Sequence, residues 1–219
     1  MIPKIVRDTY YLTLSPLMRL NSWRHRQWSS VTKSSRRAHL GPGQKRYLPG
    51  WVNVDANLIS SHPDVWADLR YKLPFSDESL DAIYSHHMIE HLPDLDFHFA
   101  EMYRCLKPGG VLRVGGPHGD NAMLAFQRGD IDWFGTWPKN RNSIGGRFEN
   151  FIFCSGEHLT ILTQSFLEEL CNQSGFVDFS VVMPKDTAYP HVIDTSVLES
   201  EWWGDHELPK TLLIEARKP

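Results

Sequence analysis

Short apolar runs separated by turn residues recur along this chain of 219 residues, and one long stretch carries a helical stripe. "AHLGPG" (38–43) is an apolar step ending in a glycine turn, and "WVNVD" (51–55) is a β-branched run that stops at an acid. "DAIYS" (81–85) reads as a buried strand. In "DLDFHFAEMYRCLKPGG", Leu95, Phe99, Met102 and Leu106 recur at i, i+4, i+7 and i+11, the pattern of a helix packed on one side. Pro108 and Gly109 should stop it. "VLRVG" (111–115) follows as a strand, so strand, helix and strand succeed one another within about 35 residues, as in a parallel βαβ unit. Ser165 and Glu168 suggest a capping box opening "FLEELCNQSGF", with Gly175 as its C-terminal stop. "VDFSVVM" (177–183) and "TLLIEA" (211–216) read as two final strands.

This order predicts an α/β domain over 38–219, a Rossmann-like three-layer sandwich with a mostly parallel sheet that binds ligands at the carboxyl ends of its strands. Only 11 residues separate Gly43 from Asp55, too few for a full helix with its turn and strand, so the first helix should be short or missing. Residues 116–162 are glycine-rich, aromatic and irregular in pattern, and are expected to form an acceptor-binding insertion.

Charge divides the chain. Residues 1–37 hold 8 Lys/Arg against one Asp, a balance of +7, which leaves 15 against 25, or −10, for the remainder. A nucleic-acid partner is therefore not expected, because the main domain keeps no basic stripe to neutralise phosphates. The basic N-terminal extension reads first as a solvated or domain-docking segment. Trp23 and Trp28 among Arg19, Arg24 and Arg26 also suit peripheral contact with an anionic membrane. Three widely spaced cysteines argue against a disulfide framework, and with no apolar run long enough to span a bilayer the expected setting is cytoplasmic.

The chemistry gathers around two strand ends. A Gly41-Pro42-Gly43 turn closes the first predicted strand and Asp55 closes the next. Glycine lets a ligand approach the backbone closely, and a carboxylate beside it can accept both hydroxyls of a ribose. A different pattern lies in "SHHMIEHL" (85–92): His87, Glu90 and His91 form H-x-x-E-H, one signature of a zinc-peptidase helix.

"HLGPG", "GWVNVD", "ADLRYKLPFSDESLDAIYSHHMIEHL" and "EMYRCLKPGGVLRVGGP", in that order, resemble class I S-adenosylmethionine-dependent methyltransferases of the type 11 kind. The glycine turn, "LPGWVNVD" and the "GGRFENFIF…GEH" segment are similar to small methyltransferases of bacterial surface-glycan synthesis. The resemblance implies S-adenosylmethionine as cofactor. Gly41 and Gly43 would lie beside its methionine part, Asp55 on its ribose, Asp68 and Leu69 at its adenine, and Ser85 and His86 along the cleft. It also accounts for the H-x-x-E-H run as the segment after the fourth strand, so no metal ligand is assigned. The implied function is O-methylation of a saccharide or related small polar acceptor, with His87, His118 and His158 as candidate bases. Two alternatives remain at this point: a non-catalytic nucleoside- or protein-binding domain, and a zinc hydrolase built on His87, Glu90 and His91.

Overall fold

A computed structural model describes residues 4–29, 36–44, 46–58, 61–201 and 207–219. Residues 1–3 and 30–35 of the basic extension lie outside the described residues.

Seven strands form one sheet: β1 (Arg37–Leu40), β2 (Val52–Asp55), β3 (Val65–Trp66), β4 (Leu80–His86), β5 (Leu106–Pro117), β6 (Val177–Val182) and β7 (Thr211–Arg217). Their order is β3-β2-β1-β4-β5-β7-β6. The first five are mutually parallel, with Ala38 opposite both Val52 and Ile83, whereas β7 runs antiparallel to β5 and β6. Every strand named from the sequence is present. β3 was not foreseen, because two residues carry no readable alternation.

The helices are α1 (Lys4–Trp28), α2 (Leu95–Cys105), α3 (Gly119–Arg128), α4 (Ile144–Phe153), α5 (Gln164–Ser174) and α6 (Thr195–Ser200). α2 opens on Asp94, whose side chain accepts the Phe97 N–H at 2.9 Å, and it buries Leu95, Phe99, Met102 and Cys105. It ends before Pro108, because Leu106 leaves the helix in extended conformation and pairs with Leu80 as the start of β5. α5 is capped by Thr163 rather than by the expected Ser165: helical geometry already begins at Gln164, and the Thr163 hydroxyl accepts from Phe166 N–H at 3.3 Å. Gly175 ends it with φ +95°, as the sequence suggested.

One face of the sheet packs Leu40, Val54, Ile83, Leu112 and Ile214 against Phe99 and Met102 of α2 and Leu167 and Leu170 of α5. Burial of each such side chain contributes about 1.5 to 3 kcal/mol. The opposite face is covered more thinly, by Leu48 and Trp51 of the β1–β2 connection and by Ile193 and Val197 at α6. No helix forms among the described residues between Leu40 and Val52, so the first crossover is irregular chain.

α1 takes up the sheet's β3 edge. Ser15, Met18 and Ser22 are buried, Asn21 Nδ2 donates to the Trp66 carbonyl at 2.9 Å and Arg26 donates to the Leu73 carbonyl at 3.0 Å. The described part of the basic extension is thus a helix docked on the domain. Its outer side leaves Ile5, Leu12, Leu20, Trp23 and Trp28 exposed, and no helix of the described residues is long and apolar enough to cross a membrane.

The insertion is more ordered than its composition suggested. α3 and α4 pack around Ala122, Ala125, Trp133, Phe134 and Ile152 as a small core of their own, with Phe148 and Phe151 against it. The aromatic residues that read as irregular are the substance of that core.

Candidate functional site

Five parallel strands, β1 to β5, deliver their carboxyl ends to one edge of the sheet. The chain winds outward from β1 through β2 to β3 and then returns to β4 on the other side of β1, which makes the β1/β4 boundary the switch point where such sheets bind ligands. A cleft of about 490 Å³ opens there, within the size range of small-molecule sites. Gly41, Gly43, Asp55, Asp68, Leu69 and His87 all line it.

Gly41 has φ +70°, and a Cβ at this position would lie 2.3 Å from Met88 Cγ. Both the backbone conformation and the space exclude a side chain. Two residues on, the Gly43 N–H donates to Asp55 Oδ2 at 2.9 Å, while Asp55 Oδ1 accepts the Asn57 N–H at 2.8 Å. The glycine turn and the acid at the tip of β2 are therefore one hydrogen-bonded unit. A carboxylate offers about four lone-pair positions, so Asp55 retains acceptor capacity toward the cleft. Burial pushes its pKa up, and the backbone N–H groups of Asn57 and Gly43 pull against that rise.

Asp68 is differently placed. Its carboxylate accepts from Ser15 Oγ at 2.6 Å and from Arg70 Nε and Nη2 at 2.9 and 2.7 Å. Burial works to raise its pKa, but these bonds outweigh it and the carboxyl sits below the usual range. Asp68 belongs to the cleft wall with its acceptor positions largely taken.

Ser85 and His86 lie beneath the cleft rather than on it. Both are buried; the His86 ring stacks on Tyr84 and its Nδ1 is 2.8 Å from Arg46 Nη1. Burial foremost, with His87 and Arg46 nearby, holds His86 well below the ordinary histidine pKa. His118 caps α3, its Nδ1 facing Asn121 N–H at 3.4 Å. His158 comes to the other side of the β4 end, its ring 5.0 Å from that of His91.

The H-x-x-E-H run does not form the helix that a zinc-peptidase reading requires. His87 adopts φ +55° and donates its N–H to the Gly115 carbonyl at 2.8 Å, and only Ile89–His91 make a single 3₁₀ turn. His87 is half-buried, its Nδ1 3.3 Å from Glu90 Oε1 and its Nε2 3.1 Å from Thr211 Oγ1. Glu90 itself is 1% exposed. Burial would raise its pKa, but the neighbouring His87 leads an opposing effect that leaves it lowered.

The sequence reading missed the wall that α1 supplies. Arg7, Asp8 and Tyr11 line the cleft, with Arg70 4.0 Å from the centre of the Tyr11 ring. Arg7 pairs with Glu157 of the insertion, so α1 and the insertion meet across the opening. The i, i+4 spacing of Arg7 and Tyr11 was the available signal, and it is too common to single out a site.

A family model described as a methyltransferase domain matches residues 54–114, the span from the end of β2 to β5. Residues 54–114 thus match that methyltransferase domain, within a sheet whose strand order is that of the Rossmann-like methyltransferase fold. A demethylmenaquinone methyltransferase of Lactobacillus johnsonii is 25% identical over 107 residues, 48% of this chain and 42% of that protein. A sterol methyltransferase-like protein of Botryococcus braunii is 41% identical over 59 residues, 27% of this chain and 15% of that protein. The methyltransferase match thus spans less than half the length of either relative. Among solved structures, a SAM-dependent methyltransferase of Thermotoga maritima aligns with a TM-score of 0.55 at 17% identity, over 99% of this chain and 96% of that one. Another from Archaeoglobus fulgidus aligns at 0.51 and 16%, over 95% of this chain and all of that one. These likenesses establish that the methyltransferase fold extends through nearly the whole chain, α1 included.

Proposed function

We propose that this protein transfers a methyl group from S-adenosylmethionine to an oxygen of a small polar acceptor, a saccharide being the class its residues suit best. One observation carries the reading: Gly41, Gly43 and Asp55 converge in a single cleft at the β1/β4 switch point, with the Gly43 N–H bound to Asp55. The fit to the cofactor rests on these residues. Asp55 keeps lone pairs for two ribose hydroxyls, Gly41 clears space for close backbone approach, and Leu69 offers an apolar wall for a base. Asp68 acts here through its neighbours, fixing Arg70 and α1 beside that wall, and Ser85 and His86 support the cleft floor from below.

Bound S-adenosylmethionine would supply a methyl carbon activated toward an oxygen nucleophile by the adjoining sulfonium, with the neutral thioether as its leaving group. What the chain must add is alignment, exclusion of water and a destination for the acceptor's proton. His87 is the preferred base, because it lines the cleft at the end of β4 and the buried Glu90 carboxylate lies beside its Nδ1 to steady the imidazolium that proton uptake creates. His158 stands as a second candidate on the insertion side, whereas His118 is engaged as a helix cap. Support for a saccharide comes from the resemblance of residues 145–158 to surface-glycan methyltransferases. The exposed apolar side chains of α1, with Arg19 and Arg24 among them, support peripheral contact with an anionic membrane, and three free, buried cysteines suit a cytoplasmic setting.

The test is transfer of tritiated methyl from S-adenosylmethionine to a set of free and nucleotide-activated hexoses and deoxyhexoses. Alkali-stable label in a sugar, reduced about 10² to 10⁴-fold by His87→Asn, is the expected result. Label in catechol or amine controls and in no sugar would overturn the saccharide assignment.

A further inference from the structure

We infer that Glu90, His91 and His158 form a binding site for a divalent transition-metal ion at the rim of the cleft. The ligand atoms of these three side chains lie within 4.8 Å of one another. Each is prepared for the task in a way that ordinary packing does not require.

Both histidines have their tautomer fixed. His91 Nδ1 is 2.9 Å from the Glu157 carbonyl and His158 Nδ1 is 2.9 Å from the Ile152 carbonyl. A carbonyl oxygen only accepts, so Nδ1 must carry the proton in each ring, and each Nε2 is left with a lone pair. Donation of the other ring N–H to a backbone carbonyl is the usual support of a metal-bound histidine. The Nε2 of His91 then faces Glu90 Oε1 at 3.8 Å.

Glu90 provides the independent observation. Its side chain is 1% exposed, and neither carboxylate oxygen has a hydrogen-bond partner. A charge buried that deeply is costly unless it is paired or coordinates a metal. The nearest cationic candidate, His87 Nδ1 at 3.3 Å, lies on one side only, and Gly116 leaves Glu90 Oε2 packed against bare backbone. A cation between Glu90 and the two lone pairs would supply the missing compensation.

Two imidazoles and one carboxylate suit zinc, iron(II) or manganese(II) rather than calcium or magnesium, which prefer oxygen-rich sets. Ligand bonds of about 2.1 Å set ligand-to-ligand separations near 3 to 3.4 Å, so the side chains would close by about 1 Å on binding. Three protein ligands leave coordination positions open. This arrangement differs from the zinc-peptidase pattern: His87 is not a ligand, and His158 arrives from the insertion. On the methyl-transfer reading, on which this role alone rests, the ion would polarise the acceptor hydroxyl and lower its pKa for His87.

The experiment is calorimetric titration of the full-length, chelator-treated protein with Zn²⁺ and with Mn²⁺, repeated on Glu90→Gln and His158→Asn after circular dichroism has verified their fold. S-adenosylhomocysteine is titrated separately into each. One equivalent of metal should bind the native protein, and each variant should weaken that binding by at least tenfold. Should Glu90→Gln fail to fold, the half-buried His158 decides. Native protein that binds S-adenosylhomocysteine and neither metal, or metal binding indifferent to His158→Asn, overturns the site without touching the cofactor reading. Metal binding lost in the variants, with no S-adenosylhomocysteine bound to any protein, upholds the site and removes the methyl-transfer role assigned to it.

Discussion

Ser15 of the N-terminal helix donates its hydroxyl to Asp68 at 2.6 Å, joining the basic extension to an acid of the cleft wall. The bond is buried and charge-assisted, and such bonds contribute about 1.5 to 3 kcal/mol. Arg70 still satisfies Asp68 when the hydroxyl is lost. Ser15→Ala should therefore cost about 1.5 kcal/mol in urea unfolding, the lower end of that range. It should also weaken S-adenosylhomocysteine binding, because α1 loses an anchor next to Tyr11. Unchanged stability and affinity would mean that α1 is held elsewhere.

Gly41→Ala should abolish cofactor binding. The new methyl would sit 2.3 Å from Met88 Cγ, and the backbone would still need φ +70°. Adding Met88→Ala relieves the first conflict only. The double variant should recover stability in part, with about 1 kcal/mol or more of backbone strain remaining. Full recovery of binding in the double variant would show that the turn's conformation is unimportant.

Arg113 bridges two buried glutamates, with Nε and Nη2 each 2.7 Å from Glu201 and Nη1 2.6 Å from Glu215. All three side chains are fully buried. Arg113→Met leaves two carboxylates without their counter-ion and should cost about 3 to 5 kcal/mol. Replacing all three residues by apolar side chains of similar volume should restore much of the loss. Thermal unfolding of the single and triple variants separates these outcomes.

Acid should destabilise the fold before the carboxylates titrate. Burial pushes His39 and His98 each down to about 4. Between the ordinary value of about 6.5 and pH 4, the unfolded chain takes up protons that the folded chain refuses, so stability falls with falling pH. Above 6.5 both states are neutral and the contribution is complete; below 4 both are protonated and the loss ends. Each group accounts for roughly 3 kcal/mol across this window, from about 1.4 kcal/mol per pKa unit. His39→Gln, which keeps a polar partner for Asn53 at lower cost, should flatten the urea-midpoint profile from pH 6.5 to 4. A profile unchanged in this variant would place the acid sensitivity elsewhere.

What was legible in the sequence was what local chemistry dictates. Gly41, Asp55 and the stripe from Leu95 to Met102 are demanded by a turn, a strand end and a packed helix face, so the residues announce the geometry. α1 was not legible as part of the site, because Pro16 lies within it and apolar residues such as Leu12 and Leu20 point outward, which blurs its helical stripe. Asp68 read as an adenine contact, since Ser15, 53 positions away, is invisible as a partner until the chain folds. The H-x-x-E-H run showed its residue types but not their arrangement: the left-handed turn at His87 removes it from the His91 face, and tertiary packing brings His158 in its place.

The most direct measurement is calorimetric titration of S-adenosylhomocysteine into the native protein and into Asp55→Ala. A cofactor site built on Asp55 should give micromolar binding at one site, lost in the variant while its fold by circular dichroism is retained. Absence of binding to folded native protein, or binding that persists unchanged in Asp55→Ala, would contradict it.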